Sequence, residues 1–266
     1  MKHHFLTRTA LAAILLAGVA TSVAETARAA DLAPLPVAPR FSWTGCYVGG
    51  YIGYATANTW TSTDLGSPGI GVFSPIGANP WSYSENTSFV GGGTVGCNYQ
   101  LWSGPANSPF GGIVIGVEGE GGYMSLSASA VEPNSIDVIG SSKMGDTYGL
   151  IAGRLGWVFY ERILLYGKAG VAFYNTSATV SALTPGVGAP DTITATGSKS
   201  QAPFALGVGV EYAMWDHWTG KAEYMWLDSR SGYNTCGVDT VFGQTFCWQQ
   251  SPSPVNLIKI GLNYKF

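Results

Sequence analysis

Apolar and polar side chains alternate with a period of two along most of this chain, the pattern of strands with one oily face and one wet face. From Phe89 to Leu101 the odd positions are Phe89, Gly91, Gly93, Val95, Cys97, Tyr99 and Leu101, while the even ones include Thr94, Asn98 and Gln100. Ile113, Ile115, Val117 and Tyr123 alternate with Glu118 and Glu120, and Ile151, Leu155 and Trp157 alternate with Arg154. Ile163, Leu165, Val171 and Phe173 oppose Lys168; Phe204, Leu206, Val208, Val210 and Tyr212 oppose Glu211. Trp218, Ala222, Tyr224 and Trp226 oppose Lys221 and Glu223. Ile258, Ile260, Leu262, Tyr264 and Phe266 oppose Lys259, Asn263 and Lys265. With Tyr47 to Tyr54, where the alternation is weaker, the pattern predicts eight strands.

The connections alternate in length. Tight links fall near Tyr160–Arg162 and Trp215–His217, and a moderate one runs from Trp102 to Gly111. Four long segments, about 55–88, 124–145, 175–200 and 228–254, are rich in Ser, Thr, Gly, Asn and Pro and are expected to be loops. Short turns on one side and long loops on the other are the outer-membrane pattern, with both chain ends on the periplasmic side.

The start of the chain does not belong to this pattern. Lys2, His3, His4 and Arg8 precede an apolar run from Ala10 to Ala24, and Ala27-Arg28-Ala29 supplies small residues for cleavage between Ala29 and Ala30. Residues 1–29 are therefore expected to be a signal peptide, 30–40 a Pro-rich periplasmic lead-in, and 41–266 the barrel. The apolar run falls short of the roughly 20 residues that cross a bilayer as a helix.

Composition agrees with a membrane setting. Charged residues are 11% of the chain, against about 25% in soluble domains, and mean hydropathy is +0.15. Without the signal segment 10 basic and 15 acidic residues remain, a net charge of −5, which argues against a nucleic-acid partner.

Periodicity alone does not say which face points inward. Volume does, because the interior of an eight-stranded barrel is only wide enough for side chains to fill and cannot hold all these Trp, Tyr, Phe, Leu, Ile and Val residues. Turned outward they form a lipid-facing band, with Tyr99, Trp157, Phe159, Trp218 and Tyr264 near the periplasmic rim. The predicted fold is an all-β, transmembrane, antiparallel up-and-down barrel of eight strands.

Inside such a barrel Glu118, Glu120, Glu211 and Glu223 would meet Arg154, Lys168, Lys221, Lys259 and Lys265. Near balance is expected, since a buried unpaired charge costs several kcal/mol. Two readings stay open: a network that organises the core, or a narrow ion or small-solute path.

Catalysis is not expected. His217 is the one histidine beyond the leader, in a tight turn, with no nucleophile suggested beside it. Metal-ligand spacing such as C-x-x-C is missing, so neither metal nor cofactor is expected. Haem capture is weakly supported, because Tyr51, Tyr83, Tyr123, Tyr233 or Met124 would lack an imidazole partner in the long loops. Four cysteines allow three pairings. Cys236 with Cys247 would staple the last loop; Cys46 with Cys97 would join neighbouring strands; free thiols are the alternative.

Several segments carry a resemblance. Ser42-Trp43-Thr44-Gly45-Cys46-Tyr47-Val48-Gly49-Gly50, Gly91-Gly92-Gly93-Thr94-Val95-Gly96-Cys97-Asn98-Tyr99-Gln100 and the ending Val255 to Phe266 resemble the porin-like outer membrane immunogenic proteins. Gly116 to Glu120, Gly153 to Gly156, Gly209 to Tyr212 and Lys221 to Tyr224 continue the likeness. The resemblance implies an OmpA-like eight-stranded domain integral to a Gram-negative outer membrane. It further implies that Tyr264 and Phe266 act as the insertion signal read by the barrel-assembly machinery. Cys46 and Cys97 depart from it, standing where the family usually has aromatics. The expected role is structural or surface-interacting, with lipid, lipopolysaccharide and host or phage molecules as partners and a monomer as the simplest state. Porin-like passage is the alternative.

Overall fold

The computed structural model describes residues 40–65, 80–84, 86–105, 108–133, 138–184, 191–238, 243 and 245–266. The signal segment with Ala29 and Ala30, and the lead-in up to residue 39, lie outside them. The strands are β1 (Gly45–Ala57), β2 (Trp60–Asp64), β3 (Pro80–Tyr83), β4 (Ser88–Ser103), β5 (Gly112–Val131), β6 (Val138–Phe159) and β7 (Ile163–Thr184). They continue with β8 (Asp191–Gln201), β9 (Phe204–Ala213), β10 (Trp218–Leu227), β11 (Tyr233–Val238), β12 (Thr245–Ser251) and β13 (Val255–Lys265).

Eight of these, β1, β4, β5, β6, β7, β9, β10 and β13, each pair antiparallel with the next in that order, and β13 returns to β1. The cycle has no free edge. Its backbone donors and acceptors are paired within the protein, as a hydrocarbon environment requires.

Along each strand of the ring, outward positions are apolar and exposed: Ile151 is 66% exposed, Val117 63% and Val208 61%. Such a continuous oily band is untenable in water and favourable against acyl chains. Rings bound it on both sides. Near the tight turns Phe110, Trp157 and Phe159 form one aromatic run and Trp218, Tyr264 and Phe266 another, with successive centroids 5.2–6.5 Å apart. Toward the other end Tyr54, Phe89, Tyr123, Phe173 and Phe204 face outward. On β4, Phe89 and Tyr99 are ten residues apart, ~33 Å along the strand and ~25 Å along the membrane normal at a tilt of ~40°.

Beyond the outer ring the architecture departs from expectation. Segments 55–88, 124–145, 175–200 and 228–254, expected to be loops, carry strands. β5, β6 and β7 run on for total lengths of 20, 22 and 22 residues. The sheet then continues from β7 through β8, β11, β12 and β2 to β3. The reason is a change of phase. In the membrane the oily side chains point outward; above it they point inward, with Met124, Leu126 and Ala128 buried while Ser127 and Ser129 face water. Small hydroxyl residues make the composition loop-like, yet their alternation is that of a strand wet on its outer face.

The chain begins below the ring. Residues 40–44 turn into the periplasmic mouth, where Trp43 is 1% exposed. Its backbone N–H donates to Gln100 Oε1 at 3.2 Å and its indole N–H to the Glu161 carbonyl at 3.1 Å.

Candidate functional site in the barrel lumen

The inward face divides the lumen into three layers. At the periplasmic end Trp43 packs with Val114, Val158, Leu164, Tyr166 and Ala213, and Phe41 lies against them. The middle is ionic. Above it a buried apolar cluster includes Trp60, Trp81, Met124, Met144, Ile193, Trp248 and Leu257.

In the middle layer Lys168 Nζ lies 2.7 Å from Glu118 Oε1, 2.7 Å from Glu120 Oε1 and 2.9 Å from Glu223 Oε2. Carboxylate oxygens of these three glutamates lie within 4.8 Å of one another, a spacing that could hold a metal ion. The Lys168 ammonium donates to all three, so one buried cation already stands among them. Lys259 Nζ adds contacts of 2.5 Å to Glu120 and 2.8 Å to Glu223, and Lys221 Nζ one of 2.9 Å to Glu118. Arg154 joins Glu118 at 3.3 Å and Glu211 at 2.7 Å. All eight side chains are at most 3% exposed. Four carboxylates against four cations leave no net charge, the arrangement a low-dielectric interior tolerates.

Tyrosines complete the layer. Tyr47 donates to Glu118 and accepts from Arg154 Nη1 at 2.9 Å; Tyr166 donates to Glu223 Oε2 at 3.0 Å. The Arg154 guanidinium lies 3.9 Å from the Tyr166 ring centroid, close enough for a cation–π contact. Glu211 also accepts from Thr219 Oγ1 at 2.5 Å and Asn263 Nδ2 at 3.0 Å. Glycine makes room for one of these rings: a Cβ at Gly209 would lie 2.5 Å from the Tyr166 ring. Any side chain there would force the Tyr166 ring to move.

Of the nine charged residues expected in the lumen, the structure brings together eight. Lys265 is the exception. It lies at the periplasmic end of β13, its ammonium 5.5 Å from the Phe41 ring, because its position falls below the ionic layer among the mouth residues. Sequence reasoning missed Trp43 as a plug and Tyr47 and Tyr166 as network members; inward aromatics break the simple rule that oily faces point out. Cys46 bonds Cys97, and Cys236 bonds Cys247. The first pair is exposed on the outward face at the rim, where Tyr99 stands two residues along β4 and the Phe266 N–H donates to the Cys46 carbonyl. Tyr264 and Phe266 stand exposed at that rim, and the His217 ring stacks on Tyr264 with centroids 5.6 Å apart. The residues considered for haem are scattered: Tyr51 on β1 and Met124 on β5 are buried within the ring, Tyr83 is buried on β3 beyond it, and Tyr123 faces outward.

A closed ring of eight tilted strands, with an oily band between two aromatic girdles and its charges locked inside, defines an integral outer-membrane β-barrel. The family model of the outer membrane protein beta-barrel domain matches residues 10–266, and the chain belongs to that family. It is similar to the 31 kDa outer-membrane immunogenic protein of Brucella melitensis biotype 1, with 29% identity covering 95% of this chain and 99% of the relative. It also resembles the 22 kDa outer membrane protein of Rhizobium leguminosarum bv. viciae, at 27% identity over 74% of this chain and 69% of that protein. Among solved structures, the outer membrane protein OprG from Pseudomonas aeruginosa matches in fold, with a TM-score of 0.50 and 13% identity over 84% of this chain and 96% of that one.

Proposed function

We propose that this protein is a non-catalytic envelope component whose barrel anchors an extracellular β-scaffold for surface contacts and does not conduct solutes. The observation carrying this reading is the stack of three packed layers in the lumen: the Trp43 plug, the neutral ionic layer, and the apolar cluster above it. A solute would have to break ion pairs with nearly fully buried partners, at several kcal/mol each. The immunogenic relatives support a role at the surface, since antibodies reach exposed parts.

The partner class at that surface is the outer-leaflet glycolipid. Just above the outer aromatic ring a cavity of about 370 Å³ is lined by Lys143, Asp146, Asn175, Ser177, Ser198 and Lys199, two ammonium groups against one carboxylate, with Lys143 paired to Asp146 at 2.7 Å. Ammonium and hydroxyl donors at headgroup level suit phosphorylated sugars. Host or phage molecules would meet the outer tips, and the barrel-assembly machinery would read Tyr264 and Phe266.

Liposome swelling tests the sealed lumen. Vesicles carrying the folded protein should swell no faster than empty ones in any sugar. Uptake that falls with sugar size, or large steady single-channel steps, would establish the porin reading instead.

A further inference from the structure

The Cys46–Cys97 disulfide joins two strands whose ladder is rich in glycine; beside it the side chains of Gln100 and Thr44 accept from the Trp43 N–H and the Gln100 N–H. In the β1/β4 ladder, seven of the eleven registered pairs contain a glycine, among them Gly50 with Gly93, Tyr51 with Gly92 and Ile52 with Gly91. Glycine offers no side chain to interlock, so Gly-rich pairs specify register weakly. The turn does not help. β1 and β4 are joined through residues 58–87, a long connection containing two further strands, whereas β6 and β7 are joined by the three residues 160–162.

A slip of one residue would invert the faces and is forbidden by the oily band, but a slip of two keeps them and shifts β1 by ~7 Å. That shift would carry Tyr47 off Gly96 and away from Glu118 and Arg154, the partners its hydroxyl holds in the ionic layer. It would also move the edge on which the barrel closes, where the Phe266 N–H donates to the Cys46 carbonyl at 3.0 Å.

We infer that Cys46 and Cys97, directly opposed in the ladder, are an oxidation site that sets the β1/β4 register before the barrel closes in the membrane. Chemistry places the step early. Disulfide formation proceeds through a thiolate, which needs water, and both sulfurs end on the lipid-facing side beside Val48, Val95 and Val117. In the periplasm the two thiols give two electrons and two protons to the disulfide of a protein thiol oxidase. A mixed disulfide forms first; the second thiolate displaces the oxidase, which departs as a dithiol. Once the ring is closed, neighbouring ladders hold the register and the bond is no longer needed for it.

The test refolds the urea-unfolded protein into lipid vesicles and follows the gel shift between boiled and unboiled samples. Oxidised wild type should fold about tenfold faster than reduced wild type or the C46S/C97S variant, because the cross-link removes the search for register. The C236S/C247S variant, oxidised, should match wild type. Reductant added after folding should leave the compact band in place. In cells with stalled outer-membrane assembly, thiol alkylation should find Cys46 and Cys97 already joined. Folding of C46S/C97S at the oxidised wild-type rate, loss of the compact band on late reduction, or free thiols at these positions in stalled cells would each overturn the inference.

Discussion

Replacing Arg154 with Met is the sharpest test of the ionic layer, because the eight charges are not equally connected. Glu118 would keep Lys168 and Lys221, and Glu120 and Glu223 would keep Lys168 and Lys259. Glu211 would not be so served: among the described ion pairs Arg154 is its one cationic partner, leaving Thr219 and Asn263 as neutral donors. Orphaning a buried carboxylate costs ~3–5 kcal/mol, and losing the stacking on Tyr166 adds ~1 kcal/mol. Removing both charges should be milder, so Arg154→Met with Glu211→Gln should recover at least ~2 kcal/mol of that loss. The assay is urea unfolding of the vesicle-inserted barrel, followed by tryptophan fluorescence under conditions where folding and unfolding midpoints coincide. If Arg154→Met costs less than ~1 kcal/mol, or if the double variant is no more stable than the single one, the layer does not work as a balanced set of buried charges.

Two further outcomes follow from packing. Trp43→Ala should cost ~3–5 kcal/mol in the same assay, as a large buried side chain leaves a cavity in the periplasmic mouth, yet vesicle swelling should stay at the empty-vesicle level because the upper apolar layer remains. Val208→Arg, midway between Phe204 and Tyr212 on the outward face of β9, should cost ~2–4 kcal/mol through exposure of charge to acyl chains; no loss would show that this face does not meet lipid.

Much of the ring was legible in the residues. Two-residue alternation at Phe89–Leu101 or Phe204–Tyr212 specifies a strand and its two faces, and the tight links near 160–162 and 215–217 specify antiparallel neighbours. The ionic residues were legible too, as charges on the inward parity of these strands, although Lys265 shares that parity and lies outside the layer. The extracellular strands were less so, since Ser, Thr and Gly dominate their composition and suggest loops. A signal was nevertheless present on β5: the apolar residues hold odd numbers from Ile115 through Tyr123 and even numbers from Met124 through Ala130, and that switch marks where the outside changes from lipid to water.

Local sequence thus determined strands, faces and the direction of each side chain, because period and parity are properties of neighbouring residues along one chain. Tertiary structure alone decided which charges meet, since Arg154 and Glu211 are 57 residues apart and come together across the lumen only when the ring closes. It also decided that Trp43 fills the mouth and that Lys265 falls outside the ionic layer. Height along the barrel axis depends on register between strands, and register is a relation among segments distant in sequence.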